Sequence, residues 1–166
     1  MKTLRATTMI VVFLLLCLNG TQAQNVTPKP DQLKLMENLW VGNWQSIIGK
    51  DSLLVTELIQ YGNVFEYNVY LVFDGKKSFS FGGSYVFSLK ENNFKGFAFT
   101  PDGNYQTWIG SFITDTKISM DIVQNFNPED VLIKELVEWE NLTNYTATIF
   151  ELTGTKIAES KWTKVK

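Results

Sequence analysis

The sequence has 166 residues, with no histidine, one cysteine and one arginine. The cysteine, Cys17, and the arginine, Arg5, both lie within the first 23 residues, which have the features of a cleaved secretory signal. Without that segment the chain has no thiol, which excludes disulfides, thiolate metal sites and cysteine nucleophiles. The lack of histidine removes the usual general base, metal ligand and haem ligand. The composition therefore does not favour an enzyme, and no cofactor or metal is predicted.

The first 23 residues combine a basic start, Lys2 and Arg5, with an apolar run over 9–18 and small residues before Gln24. This order predicts a signal peptide, 1–23, and hence a secreted or periplasmic protein. The alternatives are an uncleaved anchor, which lacks a stop-transfer flank, and a lipid anchor at the cysteine of the apolar run. Residues 24–32 are polar and contain two prolines, so they predict a flexible leader.

The charge is weakly acidic, since the net charge of −2 becomes −4 when Lys2 and Arg5 leave with the signal peptide. A chain that is net acidic and has no arginine is poorly suited to bind nucleic acid. No membrane span is predicted in the mature chain, and we expect a monomer or a weak dimer.

Aromatic residues are abundant, with 12 Phe, 6 Tyr and 5 Trp. Alternation of apolar and polar residues begins at Trp40 and continues almost to the end of the sequence. Turn signals such as Gly62-Asn63 and Asp74-Gly75 separate short segments at regular intervals. Residues 33–166 therefore predict one all-β domain, a single antiparallel up-and-down β-barrel of about eight to ten strands.

Two segments have features of a helix. Residues 31–38 predict a short helical turn that Asp31 caps and that closes one barrel mouth. Residues 52–61 fit a helix through Leu54 and Leu58 and a strand through Val55 and Ile59. The strand is preferred because a hairpin turn follows directly.

Gly42-Asn43-Trp44 stands at the predicted first strand. A glycine there permits the close approach of another backbone, and the tryptophan plugs one end of the barrel. With the closing segment from Glu159 to Lys164, this motif resembles the lipocalin and calycin group. The resemblance is closest to bacterial secreted lipocalin-like proteins of unassigned function. It implies a barrel that binds a small ligand in its interior.

The sequence departs from that resemblance in the residue that covers the motif tryptophan. Typical lipocalins stack an arginine over it, whereas here Lys161 or Lys164 would have to take that place. Haem-carrying relatives of the group use a histidine ligand, so its absence argues against that activity. The segment around Trp108 has a fainter likeness to avidin-like barrels.

Candidate ligand-binding residues are the large aromatic side chains of the predicted barrel and one acidic residue: Trp44, Tyr67, Tyr85, Phe99, Trp108, Glu135 and Trp139. The aromatic residues suit a packed core equally well. Trp44 in particular is expected mainly as a structural plug.

Glu135 is the most specific candidate, because alternation with Ile133 and Val137 places it on the apolar face. An inward carboxylate needs a partner, either a ligand or Lys95, which shares inward parity with Phe97 in this interpretation. The alternative, a slipped register or a barrel end where the carboxylate meets water, is preferred.

Three functions from different classes are compatible with these features. The first is an exported, non-enzymatic barrel that binds a small apolar or amphipathic molecule. The second is a packed barrel that acts as an extracellular interaction module. The third is a barrel cyclase or isomerase with acid–base chemistry at Glu135, Tyr67 and Tyr105. Three glycosylation acceptor patterns begin at Asn25, Asn141 and Asn144, and they would be unused in a bacterial host.

Overall fold

The computed structural model describes residues 31–165. The predicted signal peptide, most of the predicted leader and the acceptor pattern at Asn25 lie outside these residues. The last leader residue, Gln32, is the first residue of a helix. No helix in the described part of the chain has the length and apolar character needed to cross a bilayer.

The predicted antiparallel barrel is confirmed, with ten strands that close into a single sheet. Each strand pairs with its neighbours in the chain, and β1 closes the barrel against β10. Segment 52–61 is a strand, as preferred from the sequence. The elements are α1 (Gln32–Leu39), β1 (Gly42–Ile47), β2 (Ser52–Tyr61), β3 (Val64–Phe73), β4 (Lys76–Ser88), β5 (Asn93–Phe99), β6 (Tyr105–Thr114), β7 (Lys117–Val123), β8 (Val131–Asn141), β9 (Asn144–Phe150) and β10 (Lys156–Val165).

Helix α1 closes one end of the barrel. Asp31 caps it through its side chain, as predicted. The side-chain amide of Gln32 donates to the backbone oxygen of Phe112 (3.0 Å) and accepts from its backbone nitrogen (2.6 Å). Met36 and Leu39 are buried against the barrel interior. The helix is therefore tied to the end of β6 by polar contacts and to the core by apolar ones.

The predicted tryptophan plug is confirmed at this closed end. Trp44 is 0% exposed, and its Nε1 donates to the backbone oxygen of Trp40 at 2.8 Å. Its ring meets the Tyr145 ring edge-on, with centroids 4.7 Å apart. Other buried side chains fill the same end of the barrel, among them Phe65, Phe87, Phe94, Phe112 and Trp139.

Lys164 takes the place over the plug tryptophan that the sequence left to Lys161 or Lys164. Its Nζ lies 5.2 Å from the centre of the Trp44 ring. Gly42 has a φ of +128°, and a Cβ at this position would lie 2.7 Å from the Lys164 Cε. The glycine thus makes room for the lysine side chain, which corrects the prediction that a neighbouring backbone approaches it.

Replacing Gly42 by alanine should destabilise the protein by about 1–3 kcal/mol, because an L-residue is strained at this φ. Urea unfolding of the variant measures the effect. In the double variant with Lys164→Ala the steric conflict is gone but the strained φ remains, so much of the loss should persist. A Gly42→Ala variant as stable as the parent would contradict this account of the motif.

A bulge in β4 changes which side chains face inward. Val69 pairs with Phe81 and Tyr70 pairs with Phe79, so Ser80 is left unpaired between them. In the sequence, Gly82-Gly83 suggests a bend just after this point, and unbroken alternation would place Phe79 on the same face as Phe81. One extra residue reverses the alternation, so Phe79 faces outward while Phe81 lines the interior.

The inner face of β5 is the opposite of the predicted one. Phe94 and Ala98 are buried, while Lys95 and Phe97 face outward. Lys95 pairs with Glu91 at 2.8 Å on the surface, so its predicted pairing with an inward carboxylate is wrong. Both faces of this strand carry phenylalanine, and alternation alone could not distinguish them.

Candidate functional site

A cavity of about 510 Å³ occupies the half of the barrel away from the plug. It extends from an aromatic floor above the plug to a mouth beside the loop 100–104. This volume falls within the roughly 300–1,000 Å³ typical of small-molecule sites. Its walls are mostly aliphatic and aromatic: they include Leu54, Leu58, Val69, Phe81, Ala98, Ile122, Ile133, Val137, Ala147 and Ile149. The interior is therefore open, which the sequence left undecided.

Five of the seven predicted ligand contacts line this cavity: Tyr67, Tyr85, Phe99, Trp108 and Glu135. Phe99 shares the outer face of β5 with Phe97 and borders the cavity at its mouth, where it is 44% exposed, so its predicted inward parity is wrong. The other two, Trp44 and Trp139, are buried in the plug beneath the floor and do not reach the cavity. Contact of any of these residues with a ligand remains a prediction.

The floor includes three aromatic residues that the sequence reasoning did not select: Trp40, Tyr145 and Trp162. Trp40 stacks on Tyr85 with ring centroids 5.8 Å apart, and Tyr145 stacks on Trp162 at 5.9 Å. The alternation of Tyr145 with Ala147 was a signal that could have found one of them. The floor is thus a set of stacked rings rather than a single tryptophan.

Glu135 faces the cavity from β8, where its paired neighbours are Met120 on β7 and Ile149 on β9. Glu135 is half-buried, and its side chain borders the cavity. Within residues 31–165 it forms no hydrogen bond and no ion pair. Glu135 therefore faces the interior, as its alternation with Ile133 and Val137 indicates, and the preferred interpretation of a slipped register or a barrel end is wrong.

Burial raises the pKa of Glu135 from 4.5 to about 7. Removal of water penalises the ionised carboxylate, and no hydrogen bond or ion pair from the described residues offsets that penalty. The group consequently exchanges its proton near neutral pH, while an exposed glutamate would be ionised throughout that range.

Three tyrosine phenols share the region of Glu135. Burial raises the pKa of Tyr67 to about 12; a hydrogen bond with the neighbouring Tyr85 partly opposes this increase, and the Glu135 charge adds to it. Burial likewise raises the pKa values of Tyr85 and Tyr145, and the Glu135 charge adds to both increases. The rings of Tyr67 and Tyr85 stack at 5.0 Å. All three phenols stay neutral at physiological pH, so each can both donate and accept a hydrogen bond.

Gly96 determines how close Tyr85 lies to β5. A Cβ at Gly96 would stand 2.4 Å from Cδ1 of Tyr85 and 3.3 Å from the Cβ of Trp108. Only glycine leaves room for the phenol ring against this strand. The position of Tyr85 in the cavity therefore depends on a residue without a side chain on the neighbouring strand.

The acid–base set proposed for an enzyme is only partly assembled. Glu135 and Tyr67 both face the cavity, but Tyr105 lies at the mouth, 58% exposed and stacked on Phe97 at 5.7 Å. Among the described residues, no group of three Asp, Glu, His or Cys side chains is placed to hold a metal ion. The arrangement suits recognition of one polar group within an apolar space.

Comparison with known proteins leaves the family open, because no protein-family model matches the chain and no curated protein matches it. The closed ten-strand antiparallel barrel is consistent with a lipocalin-like or calycin-like fold. The functional conclusion therefore depends on the cavity itself.

Proposed function

We propose that the protein is an exported, lipocalin-like barrel that binds one small apolar or amphipathic molecule in its interior and is not an enzyme. The cavity carries this proposal, because it is large enough for a small molecule, has mostly apolar walls and contains one carboxylate among its described lining residues. A closed barrel of this size has room for such a ligand only when side chains leave the interior unfilled. Here the aromatic plug fills one half of the barrel and leaves the other half open.

The lipocalin-like part of the proposal is supported by the closed end. Gly42 and Trp44 occupy the first strand, Lys164 of the last strand lies over the indole, and α1 covers this end. Export is supported by the basic start, the apolar run and the small residues of 1–23.

Replacing Ala147 by phenylalanine should weaken binding of N-phenyl-1-naphthylamine, a neutral apolar fluorophore, by at least about tenfold. The added ring would occupy cavity space that an apolar ligand needs. Titration followed by energy transfer from tryptophan measures binding, because Trp40, Trp108 and Trp162 line the cavity. Thr148→Phe is the matched control, since its side chain lies on the outer face of the same strand.

Native mass spectrometry of the protein purified from its own host complements this test. A co-purified mass that is lost in the Ala147→Phe variant would establish a carrier. A clean apo mass together with no fluorophore binding would reject the proposal.

An interaction module is the second candidate, and an outer row of aromatic rings favours it. The row crosses four strands beside the mouth, with successive ring centroids 5.7 to 6.3 Å apart, and consists of Tyr70, Phe79, Phe99, Phe97 and Tyr105. Several of these rings are substantially exposed. A filled interior was the other feature expected of such a module, and the cavity does not provide it.

A further inference from the structure

The cavity contains one formal charge and no partner for it. Glu135 is the only Asp, Glu, Lys or Arg side chain among the described residues that line the cavity. Burial of a carboxylate is unfavourable unless a cation or hydrogen-bond donors compensate it. Because none of the residues 31–165 forms an ion pair or a hydrogen bond with this carboxylate, a ligand can contribute the missing positive group.

The surroundings of the carboxylate favour a cation. The phenols of Tyr67, Tyr85 and Tyr145 share its region, and the rings of Trp40 and Trp162 complete the floor. Aromatic faces attract ammonium groups, and phenol oxygens accept hydrogen bonds from them. An anionic head group would instead meet a like charge with no lysine or arginine of the lining nearby.

We infer that the cavity selects amphipathic amines, with the protonated nitrogen at Glu135 among the floor aromatics and the apolar body along the aliphatic walls toward the mouth. This inference rests on the proposed function and specifies the chemical class of its ligand. A metal ion is a poor alternative occupant, since hard cations require several oxygen ligands and the cavity offers one carboxylate.

The pH dependence of amine binding should show the ion pair between the protonated amine and Glu135. The pKa of about 7 at Glu135 leaves the carboxylate ionised at pH 8, where a primary amine, like a lysine side chain, is still protonated. The other titratable groups of the lining are Tyr67, Tyr85 and Tyr145 around the carboxylate and Tyr105 at the mouth. The three buried phenols have raised pKa values and remain neutral below pH 9. Amine affinity should therefore increase from pH 5.5 to pH 8.

The experiment compares decylamine, 1-decanol and decanoate, which share one chain and differ in the head group. Each is titrated at pH 8 into the wild type, Glu135→Gln and Glu140→Gln, with calorimetry and tryptophan fluorescence as readouts. Glu140 is exposed on the outer face of the same strand, so its variant carries the same change of charge away from the cavity. We expect decylamine to bind the wild type at least about tenfold more tightly than decanoate.

Glu135→Gln should weaken decylamine binding by at least about tenfold while changing decanol binding by less than about twofold. Glu140→Gln should change neither. Equal affinity for the three probes, or an unchanged decylamine affinity in Glu135→Gln, would overturn the amine inference while the carrier function stands. Failure of all three probes and of the neutral fluorophore to bind would reject the carrier function and the inference with it.

Discussion

Replacing Glu135 by glutamine should stabilise the ligand-free protein at pH 8 by up to about 3 kcal/mol and leave its stability near pH 4 almost unchanged. Burial raises the pKa of this carboxyl from 4.5 to about 7, and each pKa unit corresponds to about 1.4 kcal/mol. Glutamine resembles the protonated acid in shape and is never charged. The substitution therefore removes a buried charge without opening a cavity.

The sign of the effect follows from proton binding. Between pH 4.5 and about 7 the folded protein holds the Glu135 proton more tightly than the unfolded chain does. Stability consequently falls as pH rises through this interval, and the loss is complete above about pH 7. In the glutamine variant this contribution to the pH dependence should be absent.

Urea unfolding of the wild type and Glu135→Gln at pH 4 and pH 8 measures both effects, with Glu140→Gln as the surface control. A glutamine variant that is no more stable than the wild type at pH 8 would mean that the carboxylate is already solvated or paired. A saturating amine should reduce the difference at pH 8, because it stabilises the ionised wild type.

Replacing Trp44 by alanine should destabilise the protein by about 3–5 kcal/mol, the range for large aromatic side chains in well-packed cores. The side chain is 0% exposed, and its indole donates to the Trp40 backbone at 2.8 Å. Its ring also contacts Tyr145 and lies beneath Lys164. Loss of the ring would remove one of the contacts between the floor of the cavity and the closed end of the barrel, and those of Trp139 with Trp40 and Tyr145 would remain.

Trp108→Ala is the comparison variant, because Trp108 lies in the cavity wall whereas Trp44 lies in the plug. Trp108 is only half-buried and faces the cavity, so its ring has packing neighbours on one side only. The same chemical change should therefore destabilise the protein clearly less at Trp108 than at Trp44. Urea unfolding followed by far-ultraviolet circular dichroism measures both variants. A loss below about 1 kcal/mol for Trp44→Ala would contradict the structural role of the plug.

Local signals predicted the barrel well because a half-buried sheet needs alternating side chains and tight turns. Asp74 and Gly75 have φ values of +48° and +70°, the left-handed conformations that a two-residue hairpin requires. The alternation of Glu135 with Ile133 and Val137 indicates the inward position that the structure shows, although the sequence interpretation preferred a slipped register or a barrel end.

On β4 and β5, the alternation of apolar and polar residues did not identify the inward-facing side chains. The unpaired Ser80 reverses the parity of Phe79, and a bulge has no distinct signature in a run of serines and aromatics. On β5, phenylalanine occurs on both faces, and the inward side is decided by pairing with β4 and β6.

By itself, the sequence determined the all-β architecture, the hairpin order and the plug tryptophan, because each depends on residues close together in the chain. Only the tertiary structure decided that the interior is open, since alternation indicates the inner face of a strand and not what meets it across the barrel. Tyr67, Tyr85 and Tyr145 belong to three strands, and barrel closure brings them into one region with Glu135. Trp44 and Trp139 do not reach the cavity, because they lie at a different depth of the barrel, in the plug. The plug and the cavity lining contain the same kinds of residue, so the sequence could not distinguish them.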